Sequence, residues 1–108
     1  MTDRELLELA AKAAGIDADV SVFFAGGPRS WNPITDDGDA LRLAVKLNLE
    51  IQRSRITDAR LPVVSCHMLY EDVHEEDRWQ WEFVGTDPYA ATRRAIVRAA
   101  AQIGEKLK

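Results

Sequence analysis

The sequence predicts an α+β fold: a small antiparallel sheet of three to four strands packed with three helices, in the order α-β-α-β-β-β-α. Three observations carry this. Three segments place apolar residues at helical spacing behind a recognisable cap. Stretches between residues 49 and 84 are strand-like, and the clearest alternate in the manner of an antiparallel sheet with one covered face. The connectors between those stretches are short and polar, as hairpin links are. A chain of 108 residues is then one compact domain, 1–108, with a core of ordinary size. An α/β/α sandwich is the alternative architecture, because pattern alone does not decide whether a helix crosses to the second face.

The first helix is expected from about Thr2 to Ala14. Thr2 with Glu5 three residues on forms a capping box, and Gly15 is the stop, since glycine accepts the left-handed conformation without steric cost. Leu6, Leu7, Leu9, Ala10 and Ala13 share one broad face. Val20 to Phe24 is short and β-rich and reads as a strand. Ala25 to Ser30 is loop, punctuated by two glycines and a proline. Trp31-Asn32-Pro33 extends it, and the residue before a proline is held out of the α region.

Thr35 or Asp36 caps the second helix, and Asp36, Asp37 and Asp39 complement the positive end of its dipole. Leu41, Leu43, Ala44, Val45 and Leu47 cover well over half of its circumference, so this helix is expected to be central. Asn48 ends it. Strands follow at about Leu49 to Ser54, Leu61 to Tyr70 and Arg78 to Val84. In the middle one Val64, Cys66, Met68 and Tyr70 make the apolar face. In the last, Trp79, Trp81 and Phe83 stand against Arg78, Gln80 and Glu82, and the aromatic side is expected beneath the helices. Asp87 and Pro88 open the final helix as N-cap and first helical residue. Its many alanines favour the helix and permit close approach.

Composition excludes several classes. The 46% apolar and 30% charged shares belong to a soluble globular protein. No run is long enough for a membrane span, and the N-terminus lacks the layout of a secretory signal, so a cytoplasmic location is expected. The single cysteine, Cys66, excludes an internal disulfide. A formal charge of −4 argues against nonspecific nucleic-acid binding and is compatible with a basic partner. Acids gather at 36–39 and 71–77, while Arg93, Arg94, Arg98, Lys106 and Lys108 gather in the last helix.

The segments 5–15 (ELLELAAKAAG), 31–47 (WNPITDDGDALRLAVKL) and 87–101 (DPYAATRRAIVRAAA) together resemble the phage ABA sandwich domain family, and more loosely NinX-type small phage proteins. The likeness covers the helices in order and spacing; residues 48–86 match only as generic strands. The resemblance implies a phage or prophage origin and helices on both faces of a sheet. It carries no catalytic residue with it.

The candidate partner- or ligand-binding residues are Trp31, Asn32, Asp36, Asp37, Asp39, Tyr89, Arg93 and Arg94. The plainer reading of the aspartates is helix capping, and of the arginines a solvated helix face pairing with acids near Glu71. His67 and His74 lack the convergent spacing of a metal site, and no cofactor is expected. Cys66 and His67 point to opposite faces of a strand and form no nucleophile–base pair. Trp79, Trp81 and Phe83 could stack on single-stranded nucleic acid, but core is the preferred reading. The function expected is a small phage-encoded binding protein, not an enzyme, acting in the host cytoplasm on a host protein such as a defence factor. A nucleotide-like ligand pocket at the Trp31 loop and an accessory structural phage protein are the alternatives. No nucleic acid and no membrane is expected as partner, and a homodimer is compatible with the surface.

Overall fold

A helix held at both ends by its own sequence opens the chain. The computed structural model describes residues 1–16, 31–55 and 62–107. Helix α1 spans Asp3–Ala14. The Thr2 hydroxyl accepts the Glu5 N–H at 3.2 Å, the first half of the expected capping box, while the Glu5 carboxylate takes the Thr2 hydroxyl at 3.1 Å rather than the Thr2 backbone N–H. Gly15 closes the helix at φ 72°, in the left-handed region. Helix α2 spans Asp37–Lys46 and helix α3 spans Pro88–Lys106, each with an aspartate N-cap, Asp36 and Asp87.

Strands β1 (Glu50–Arg55), β2 (Pro62–His67) and β3 (Trp79–Phe83) form an antiparallel sheet in the order β1-β2-β3. A short 3₁₀ turn at Glu75–Asp77 leads into β3. The sequence-expected strand at Val20 to Phe24 lies outside the described residues. The described order is therefore α-α-β-β-β-α, a small α+β fold with its helices and sheet as expected.

Helix α3, not α2, is central. It packs on β2 and β3 and against both other helices. In α2 only Ala40, Leu43 and Ala44 are buried, while Leu41 and Val45 are 60% and 73% exposed. The reason is helical geometry: residues three and four apart share a stripe, and Leu41 and Val45 fall one residue, about 100° of rotation, off that stripe. Helix α3 instead buries Ala91, Ala95, Ala99, Ala100 and Ala101 with Ile96, Val97 and Ile103. Small side chains let neighbouring backbones come close. Closest is Gly104, where a Cβ would collide with the Leu9 carbonyl of α1.

The face of β3 is the reverse of the expected one. On β2, Val64 and Cys66 are fully buried towards the helices, as expected, and Met68 just beyond the strand is 1% exposed. Register then sets the neighbours: Gln80 lies opposite Cys66 and Glu82 opposite Val64. Directly opposed residues share a face of the sheet, so Gln80 and Glu82 face the helices. Trp79, Trp81 and Phe83 must point the other way, and they are 42%, 46% and 49% exposed. Among the described residues no helix packs on that side, so the sandwich alternative finds no support there.

The Gly104 contact is testable. Alanine at an ordinary helical site would gain about 1 kcal/mol in helix propensity over glycine. Gly104→Ala is expected instead to lose about 1–3 kcal/mol, the usual cost of overpacking, in urea unfolding followed by circular dichroism. A stability equal to or above the parent would mean that α1 does not approach α3 this closely.

Candidate functional site

The loop before α2 is a closed local network. Asp36 accepts the Asp39 N–H at 2.8 Å as helix cap. Asp39 in turn accepts the Asn32 N–H at 2.9 Å and Arg42 at 2.7 Å. Asn32 accepts the Ile34 N–H at 3.1 Å, an Asx turn that fixes the proline corner. Trp31 is half-buried and packs against Ala11 of α1 and the main core. From α3, Arg93 donates to the Ile34 carbonyl at 2.7 Å and to Asp37 at 2.6 Å. Of the sequence candidates, Asn32 and Asp36 thus bond Asp39 and Arg93 bonds Asp37, while Trp31, next to Asn32 in the chain, packs on α1 and the core.

Arg94 does not join them. It lies towards α1 and β3, pairing with Asp3 at 2.9 Å and with Glu82 at 3.3 Å. Arg98 reaches the same Glu82 carboxylate at 3.4 Å and donates to the Trp81 carbonyl at 2.9 Å. The expected pairing of these arginines with acids near Glu71 is not seen. Their partner is the half-buried Glu82, which their charge allows to lie under the helix. Met1, Leu6, Gln80, Ala101 and Gln102 complete the lining of a crevice of about 390 Å³ around this cluster.

Tyr89, 69% exposed, borders a second concavity. This groove, about 450 Å³, runs between α2, β1 and the start of α3. Its walls are Leu41, Ile51, Pro88 and Ile96, with Asp37, Arg53 and Arg93 at its edge. Arg93 is already neutralised by Asp37. Arg53 makes no ion pair among the described residues.

The third surface is the open side of the sheet. His67 of β2 lies opposite Trp79, and the two rings stack with centroids 4.2 Å apart. Trp81 and Phe83 meet edge to face at 5.0 Å. Val63 and Ser65 form the floor beneath these rings and are themselves buried. Glu50 and Gln52 of β1 continue the same face, opposite His67 and Ser65. The β2–β3 connector emerges at the His67–Trp79 end with Glu71, Asp72, Glu75 and Glu76 exposed. Sequence reasoning took this aromatic strip for core. The signal that identifies it is the matched set of Glu82 with Arg94 and Arg98, one carboxylate for two helical guanidiniums, which marks the inward side of β3.

Among the described residues no group of three or more His, Cys, Asp or Glu side chains converges as metal ligands do. No described helix is long and apolar enough to cross a membrane. Cys66 is buried, and desolvation pushes its thiol up to about 12. In comparison with known proteins, no family model, no curated protein and no solved structure matches this chain.

A buried neutral thiol gives a clear expectation, since the thiolate is the nucleophile. Native Cys66 is expected to resist a disulfide reagent at pH 8 and to react at once in denaturant. The raised value also sets a sign: the unfolded chain releases the proton first, so this contribution to stability is intact below about pH 9 and is lost as pH climbs towards about 12. Rapid labelling of the native protein at pH 8 would contradict the buried placement.

Proposed function

We propose that this chain is a non-catalytic binding protein that meets a partner protein through the open aromatic face of its sheet. One observation carries the reading: Trp79, Trp81 and Phe83 each leave close to half of their surface exposed on a single face. An aromatic side chain has about 150–250 Å² to bury, and tryptophan anchors of this kind dominate protein interfaces. Among the described residues no helix covers those rings, and the ion pairs of β3 with α3 are made by Glu82 on the other side of the strand. The open face of three short strands is smaller than the roughly 800 Å² per partner of a standard interface. A partner therefore also touches the rim, and self-association through the sheet face alone is weak. The phage-family resemblance of the helices supports a host-cell protein as that partner, and a role against a host factor follows from that resemblance alone.

The triple variant Trp79→Thr/Trp81→Thr/Phe83→Thr tests this. If the rings are interface, each substitution costs about 0.5–1.5 kcal/mol of ring–ring contact together with part of the cover over Val63 and Ser65, and the variant still folds. If they were core, each would cost about 3–5 kcal/mol. Used as bait beside the parent in a host lysate, the folded variant is expected to lose a partner that the parent retains. Equal recovery by both proteins would remove the open face from the function.

A second reading rests on the groove beside Tyr89. There Leu41 and Ile51 would take an apolar ring and Arg53 an anionic group, as in a nucleotide-like ligand. A thermal-shift screen of nucleotides is expected to show stabilisation of several degrees for such a ligand, by mass action on the folded state. Loss of that shift in Tyr89→Ala and Arg53→Ala would assign the site, and a screen without shifts sets the reading aside.

A further inference from the structure

We propose that the occupant of the open aromatic face is a basic segment of the partner protein, extended, with arginine or lysine at alternate positions. The inference rests on the binding role assigned above and adds the chemistry of the partner. Its grounds are charge, the absence of an ion-paired complement among the described residues, and spacing.

The outward positions of the three strands include Glu50 and no arginine or lysine. At the His67–Trp79 end the connector adds Glu71, Asp72, Glu75, Glu76 and Asp77. None of these carboxylates takes part in an ion pair among the described residues. The cation within that segment, Arg78, donates to the Val73 carbonyl at 3.0 Å and the Glu71 carbonyl at 3.4 Å and to no carboxylate among the described residues. The arginines of α3 are spent on Asp37, Asp3 and Glu82. The aromatic face therefore ends in an acidic rim whose counter-charge does not come from the arginines of α3.

Indole faces attract cations, more strongly than other rings, when the charge lies within about 6 Å. Trp79 and Trp81 are two residues apart on β3, a step of about 6.5–7 Å along the strand. Alternate side chains of an extended peptide repeat at that same interval. A segment lying along β3 can thus bring one cation to each indole while the rim draws in the next. Polyphosphate makes the wrong complement, since its charge would meet Glu50 and the connector acids. Single-stranded nucleic acid is accordingly an outcome that the test must exclude.

The test uses the full chain and four fluorescein-labelled probes. Three are ten-residue peptides alternating threonine with arginine, glutamate or leucine; the fourth is a thymidine dodecamer. Anisotropy and tryptophan quenching are read in 50 mM and 500 mM salt. The arginine peptide is expected to bind best, and at least tenfold more weakly to Trp79→Thr/Trp81→Thr. Glu75→Lys/Glu76→Lys, which changes only exposed side chains, is expected to weaken it several-fold at low salt and little at high salt, where screening shortens the reach of the rim. If the leucine or glutamate peptide or the dodecamer binds as tightly, and does so through Trp79 and Trp81, the open face remains a contact surface but the basic partner is wrong. If no probe depends on those two tryptophans, both the partner chemistry and the face are overturned.

Discussion

Two guanidiniums on the last helix reach a single carboxylate on the last strand, and that contact marks the side of the sheet that faces the helices. Arg94 and Arg98 supply Glu82 with counter-charge under α3, where an unpaired carboxylate would give up part of its water without a partner. With them it is neutralised, and Gln80 beside it donates to the Asp77 carbonyl at 2.9 Å. The pairs are partly solvated, with the Glu82 side chain 24% exposed, so their net contribution is of the modest size usual for such bridges. They accompany an orientation that the register of β3 against the buried face of β2 imposes. Strand side chains alternate, so the side that admits Glu82 expels Trp81 and Phe83.

The same helix settles the other surfaces. Arg93, one residue before Arg94, points about 100° away around α3 and ties down the Ile34 turn and Asp37. Acidic and basic groups that look like a binding constellation in the sequence are therefore divided between two internal clamps. Among the described residues, the aromatic strip, the acidic connector beside it and the groove with Tyr89 and Arg53 stay outward and outside those clamps. A functional reading of this protein has to start from those residues, since the others already hold partners within the chain.

Helix ends were legible residue by residue. Thr2, Glu5 and Gly15, Asp36, and Asp87 with Pro88 all act where their local chemistry predicts, because a cap involves only neighbours within a few positions. The inward set of β2 was legible too, since Val64, Cys66 and Met68 are compact apolar residues facing polar alternates. The second helix misled, because its apolar residues outnumber those its one covered stripe can bury. Strand β3 misled more deeply. Its alternation was read correctly, but hydrophobicity was taken to choose the inward side, and the tryptophans were assigned to the core on that ground.

The amino-acid sequence by itself determined the helices, their capping, the three described strands and the class of fold, which depend on short-range periodicity and on hydrogen bonds between near neighbours. The middle strand came out shorter, at Pro62–His67, than its apolar pattern implied. Which helix is central, which side of β3 faces inward and which charges are left free were decided only in three dimensions. Those outcomes depend on the register of β3 against β2 and on ion pairs between residues as far apart in the chain as Asp3 and Arg94. Alternation names two faces of a strand without saying which one is covered, and only the packed partner supplies that choice.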